Sequence, residues 1–221
     1  ESIRRHRNGR HTREKNYRYA CEVFSKVPVK PGKKKRVGIT GEIYMKYSKL
    51  GNDDIESFLL RQGMEPYSGG FVNYCLYLVD TERYKAEKYQ HNPIMVKACA
   101  FVLHRLCEAQ KHLLTVIGET DRFQTDLPFP ELKEKVQGIL AEGCNTGDGW
   151  LIAAEVIQYV EKGCGSVLIL HPFGCLVSHV CERGILQRLH ARFPDVSIQT
   201  IEYDYDQSKT LRESRILLGI S

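Results

Sequence analysis

Ser166-Val167-Leu168-Ile169-Leu170-His171-Pro172-Phe173-Gly174-Cys175 is an apolar run of strand length that stops at His171-Pro172 and turns through Phe173-Gly174. It delivers Cys175 at the head of an amphipathic segment. Outward from it the pattern alternates. A helix is predicted over Trp150–Lys162, stopped by Gly163, and a strand over Val167–Leu170. A helix over Leu176–Arg192, a strand over Val196–Tyr203 and a helix over Ser208–Leu218 complete an α-β-α-β-α order, the signature of an α/β fold with a largely parallel sheet. In such sheets ligands collect at the carboxyl ends of the strands. A cysteine there has backbone N–H groups and a helix dipole to favour its thiolate. The competing reading of Cys175 is a small residue buried in a tight turn.

The first half opens in the same way. Val37–Ile43 reads as a strand, and Asp54–Gln62 as a helix with Ile55, Phe58 and Leu59 on one face and Gly63 as its stop. Asn52-Asp53 are candidate caps, and Met64–Tyr67 is a second short strand. The stretch Phe71–Arg122 is helical in pattern, with Phe71, Tyr74, Cys75 and Leu78, then Val96, Cys99, Ala100, Leu103, Leu106 and Cys107, at helical spacing. After Pro128 and Pro130 a helix is predicted over Glu131–Ala141 with Leu132, Val136, Ile139 and Leu140 inward.

Composition sets the class. The chain has 221 residues, 42% hydrophobic and 27% charged, as in ordinary globular domains. No apolar run reaches the roughly 18–20 residues that span a bilayer; a cytoplasmic location is expected, with no membrane partner. The eight cysteines contain no Cys-x-x-Cys pair, which argues against a structural zinc site or a self-contained cluster. Cys75 and Cys99, in apolar contexts, read as core fillers of a reducing compartment. Charge is segregated: residues 1–36 hold 13 Lys and Arg against 3 Asp and Glu, and the rest holds 19 against 24. Residues 1–35 read as a basic helical arm cut from an upstream domain and 36–221 as the α/β domain. Such an arm suits an anionic partner, but Tyr17, Tyr19, Cys21, Val23 and Phe24 interleave with the arginines as in an amphipathic helix. No nucleic-acid reader motif accompanies it, and nucleic acid is not an expected partner.

Three places carry candidate chemistry. Gly143-Cys144-Asn145-Thr146-Gly147-Asp148-Gly149-Trp150 is a glycine-rich turn opening a helix. Its N–H groups suit an anion, although it is neither a P-loop nor Gly-x-Gly-x-x-Gly; Asp148 is equally a helix cap and Trp150 a packing anchor. His171, Cys175, His179 and Cys181 are metal-capable residues whose spacing matches no common zinc module. Glu42 ends the first strand, and Glu202, Asp204 and Asp206 crowd the end of the last, so a parallel sheet would put them on the rim with Cys175. No Ser-His-Asp order, nucleophile elbow or His-Glu-x-x-His motif is present.

Taken together, Arg36-Val37-Gly38-Ile39-Thr40-Gly41-Glu42-Ile43-Tyr44, Gly147-Asp148-Gly149-Trp150-Leu151 and His171-Pro172-Phe173-Gly174-Cys175-Leu176 resemble the second half of the 2-hydroxyacyl-CoA dehydratase family. The nearest branch looks like the large activase–dehydratase fusion proteins. The resemblance runs from about Arg36 onward and is weakest between Tyr84 and Thr125. It implies a Rossmann-like, doubly wound domain in which Cys175 is one ligand of an iron–sulfur cluster of the 4Fe–4S kind. The remaining ligands would come from an upstream dehydratase-like domain, and an ATP-dependent activator would inject a low-potential electron. The substrate implied is an acyl-CoA, with Glu42, Gly147, Asp148 and Gly149 as cofactor-binding candidates. Two departures stand out: Asp148 occupies a position where that branch prefers Glu, and the activator's nucleotide-binding domain has no counterpart here. A docking module that binds acyl-CoA or a partner subunit without redox chemistry is the alternative expectation.

Overall fold

A computed structural model describes residues 10–29, 32–120 and 122–220. Four parallel strands, β1 (Arg36–Gly41), β2 (Glu65–Ser68), β3 (Ser166–Pro172) and β4 (Ser197–Tyr203), form one sheet in the order β2-β1-β3-β4. Register is set by pairs such as Ile39 with Leu168 and Leu168 with Gln199. The helices are α1 (Arg10–Ser25), α2 (Ile43–Tyr47), α3 (Ile55–Arg61), α4 (Phe71–Lys88), α5 (Pro93–Gly118), α6 (Phe129–Lys135), α7 (Gly149–Glu161), α8 (Arg183–Arg192) and α9 (Lys209–Ile220). None among the described residues is long and apolar enough to cross a membrane.

The sheet is covered on both faces, which is why β1 and β3 are almost continuously apolar. Successive side chains on β3 point to opposite sides. Val167 and Ile169 join the cluster built with Trp150, Ile157 and Leu189 of α7 and α8, and Leu168 and Leu170 join the one built with Met45, Phe58 and Ile216 of α2, α3 and α9. The fold is therefore Rossmann-like and doubly wound, as expected from the alternation around β3.

β1 ends at Gly41, so Ile43 opens α2 instead of finishing the strand, and the chain departs from the sequence expectation in three further places. First, α6 ends at Lys135, not Ala141: the chain continues in tight turns through Gly138 (φ 80°), although Val136 and Ile139 still pack inward. Second, α4 buries Asn73, Leu76, Tyr77 and Asp80 and exposes Phe71 and Leu78, so its inner face is turned from the one predicted. Two of the inward polar groups are paired across the helix boundary: Gln110 Nε2 donates to Asn73 Oδ1 at 2.6 Å, and Lys133 Nζ to Asp80 Oδ2 at 2.7 Å, whereas the buried Tyr77 and Thr81 hydroxyls have no hydrogen-bond partner among the described residues. Third, the same rotation leaves Cys75 exposed, so it fills no core, while Cys99 is only half-buried. At the start of α3 the capping oxygen is Asn52 Oδ1, accepting from Ile55 N–H at 3.3 Å; Asp54 is left-handed at φ 53°. Arm helix α1 lies against α5, tied by Arg18 to Glu119.

Candidate functional site

β1 and β3 are neighbours whose chains leave in opposite directions. After β1 the chain passes to α2 on one face, and after β3 it passes toward α8 on the other. That divergence makes the carboxyl end of β1 and β3 the topological switch point of the sheet, where a parallel α/β sheet opens a crevice. Glu42, Asp148, His171 and Cys175 all reach this end.

On the β1 side, Gly41 has φ 128°, and a Cβ there would stand 2.0 Å from the Leu170 carbonyl oxygen; only glycine lets the two strands part so closely. Glu42 N–H donates to Leu170 O at 2.8 Å, and Glu42 Oε2 caps α2 by accepting from Met45 N–H at 3.0 Å. Asp148 sits at the start of α7 without capping it. Its Oδ2 reaches across to accept from Ile43 N–H at 3.3 Å, so two carboxyl groups hold the first turn of α2. Burial, and then the charge of Glu42, push the Asp148 carboxyl from 3.8 up to about 7, against the pull of the Ile43 N–H and of Lys46.

The glycine turn closes on itself. Gly149 N–H donates to Thr146 O at 3.2 Å, Trp150 N–H to Cys144 O at 2.8 Å and Leu151 N–H to Asp148 O at 3.0 Å. Gly149 has φ 29°, and a Cβ there would lie 2.1 Å from Cys144 O. Gly147 packs its Cα against Val177, joining the turn to the helix behind Cys175. The space beside Asp148 is a cavity of about 10 Å³ bounded by Gly41, Tyr47 and Glu155, room for no more than about one water.

On the β3 side, Phe173-Gly174 form the predicted turn, with Cys175 N–H donating to Pro172 O at 3.3 Å. Cys175 is half-exposed, and Phe173, Leu176 and Val180 around it are exposed. His179 Nδ1 lies 2.8 Å from Cys175 O, one helical turn away. His171 is fully buried; its Nδ1 meets Pro172 O at 3.3 Å, its Nε2 has no partner, and burial lowers its pKa. Cys181 is buried beside Cys144, and burial raises its thiol to about 11, a structural rather than a reactive state. Glu202 shares the rim through β4 and pairs with Arg183 at 2.7 Å.

Two features were not anticipated from the sequence. A π-helical turn over Ser178–Glu182 buries Glu182, whose Oε1 accepts from Ser178 Oγ at 2.7 Å while Oε2 has no partner. Burial raises its carboxyl to about 7, with Asp148 and Glu42 adding to the rise. Beneath the crevice, Lys46 Nζ lies 2.7 and 2.8 Å from the two oxygens of Glu155, which also accepts from Thr40 Oγ1. Both partners are buried, and although burial opposes the Lys46 charge, Glu155 holds its pKa above the usual value. The available signal was a glutamate inside the otherwise apolar Trp150-Leu151-Ile152-Ala153-Ala154-Glu155-Val156-Ile157.

Among the described residues no three His, Cys, Asp or Glu side chains stand together as a metal site. Cys175 therefore fits a metal or cluster only as one ligand of a set completed from elsewhere. No family model matches the chain, and no curated protein or solved structure was found to be similar to it.

Proposed function

We propose that this chain is one lobe of an iron–sulfur protein of the 2-hydroxyacyl-CoA dehydratase type, in which Cys175 gives a thiolate to a cluster shared with a neighbouring domain. The observation that carries this reading is the setting of Cys175: half-exposed, at the switch-point end of β3, with exposed Phe173, Leu176 and Val180 within five positions of it along the chain. Exposed apolar residues of this kind suit contact with another protein surface, and a drier interface is what tunes a cluster's potential. When bound, such a cluster supplies low-potential electron transfer, driven in this reading by an ATP-dependent activator upstream. The chain's own residues hold the geometry. The Pro172–Cys175 turn presents the thiol, His179 braces the helix behind it, and Glu42 with Asp148 fixes α2 on the opposite wall. Eight cysteines, all free, support a reducing compartment and the cytoplasm.

The alternative, a non-redox module that docks a partner or acyl-CoA, draws on the same exposed apolar residues, with Cys175 merely packed beneath the partner. Iron and acid-labile sulfide in the anaerobically purified intact polypeptide separate the two. The cluster reading expects both, with a marked loss in Cys175→Ser. Iron-free protein, or iron retained in full by Cys175→Ser, overturns it.

A further inference from the structure

A second cleft on the rim lies away from Cys175. It measures about 480 Å³ and opens where β4 ends, between the loop after β4 and the segment joining β1 to α3. That volume is in the usual range for small-molecule sites, about 300–1,000 Å³. Its walls carry three tyrosines, Tyr44, Tyr203 and Tyr205. Tyr205 is 98% exposed, and Tyr44 is seated on Gly51, where a Cβ would come within 2.7 Å of its ring.

The charges in the cleft are not equivalent. Arg212 pairs with Asp53 and lies over the Tyr203 ring at 4.4 Å, so one wall already accepts a guanidinium on a tyrosine face. Lys209 is shared with Glu213 at 4.0 Å. Asp204 has no cationic partner among the described residues; its side chain accepts only from Asp206 N–H, at 3.1 Å. Gln207 Oε1 is buried with no hydrogen-bond partner. What the cleft offers is thus π faces, one unneutralised carboxylate and one unmet acceptor, all of which are complemented by a cation with N–H donors.

We propose that this cleft binds a small organic cation bearing N–H donors, an alkylguanidinium or alkylammonium, with Asp204 as counter-ion, the exposed tyrosine rings as its faces and Gln207 as a further acceptor. The site is distinct from the Cys175 crevice and stands whatever that thiol holds.

Calorimetric titration of the chain with butylguanidinium at low salt tests it. Saturable one-to-one binding is expected, weakened about tenfold by Asp204→Asn and clearly weakened by Tyr205→Ala. Tyr205→Phe, which keeps the ring, should bind as wild type does. Tetramethylammonium, which has no N–H to donate, should bind more weakly than butylguanidinium. A short peptide with a single arginine separates the two sources of the cation: tighter binding than butylguanidinium assigns the site to a protein side chain, and weaker binding to a free metabolite. All of these substitutions fall at half-buried or exposed positions, Asp204, Tyr205 and Lys209, and circular dichroism checks that the variants fold. No saturable binding, equal affinity in Asp204→Asn, or saturable binding of inorganic phosphate that Lys209→Ala abolishes would each overturn the proposal.

Discussion

Replacing Asp148 by Asn should make the protein more stable at pH 8 and leave it little changed below about pH 4. The carboxyl is 7% exposed, and burial with the charge of Glu42 raises it from 3.8 to about 7. A group whose folded pKa lies above its unfolded one binds protons on folding. Its stabilising contribution is complete below about pH 4 and is lost as pH rises to about 7, after which the ionised carboxylate is a fixed cost. A rise from 3.8 to about 7 corresponds to an upper limit of about 4 kcal/mol. Relaxation and water entry should reduce this to about 2 kcal/mol. Asparagine keeps an oxygen for the Ile43 N–H, now 3.3 Å from Oδ2, and removes only the ionisation. The assay is urea unfolding of both proteins at pH 5, 6, 7 and 8. His171, with its lowered pKa, loses stability in the opposite direction as pH falls, but it is common to both proteins and cancels in their difference. The difference in unfolding free energy should grow with pH between 5 and 7 and favour the variant by about 2 kcal/mol at pH 8. A variant less stable than wild type at every pH, with an unchanged pH slope, would refute the assignment of Asp148 as a carboxyl held neutral by its surroundings.

Other changes have sharper signatures. Glu155→Ala leaves the buried Lys46 ammonium without its partner and should cost about 3–5 kcal/mol in urea unfolding, whereas the double change Lys46→Met with Glu155→Leu should recover most of it. Gly41→Ala forces a Cβ to within 2.0 Å of Leu170 O at φ 128°; a loss of about 3 kcal/mol is expected, and a change under about 0.5 kcal/mol would mean the strands part more freely than described. Cys175→Ser, at a half-exposed position, should leave the unfolding midpoint of the isolated chain within about 0.5 kcal/mol of wild type, so any effect on bound iron in the intact polypeptide would not be a folding defect.

The doubly wound sheet was legible because β3 carries its own instructions: alternate residues are apolar on both faces, and Pro172 and Gly174 force the exit toward the next helix. Once the strands run parallel, Glu42, Cys175 and Glu202 must share one rim, and they do. The inner face of α4 was not legible, since Phe71-Val72-Asn73-Tyr74-Cys75-Leu76-Tyr77-Leu78 is apolar on nearly every side. The choice fell to Asn73 and Asp80, whose partners Gln110 and Lys133 lie far along the chain. Glu182 escaped for a related reason. A regular helix after Cys175 has no special place for it, and the extra residue of the π-helical turn, together with Ser178 beneath, brings it inside. Lys46 with Glu155 likewise depends on a contact across 109 positions that no local pattern records.

The most direct test of the role given to Cys175 is low-temperature electron paramagnetic resonance of the anaerobic, dithionite-reduced intact polypeptide, recorded beside its Cys175→Ser variant. A reduced-cluster signal that is lost or shifted when the thiolate becomes a hydroxyl is the expected result. A spectrum identical in both proteins, or no cluster signal in either, would contradict Cys175 as a cluster ligand.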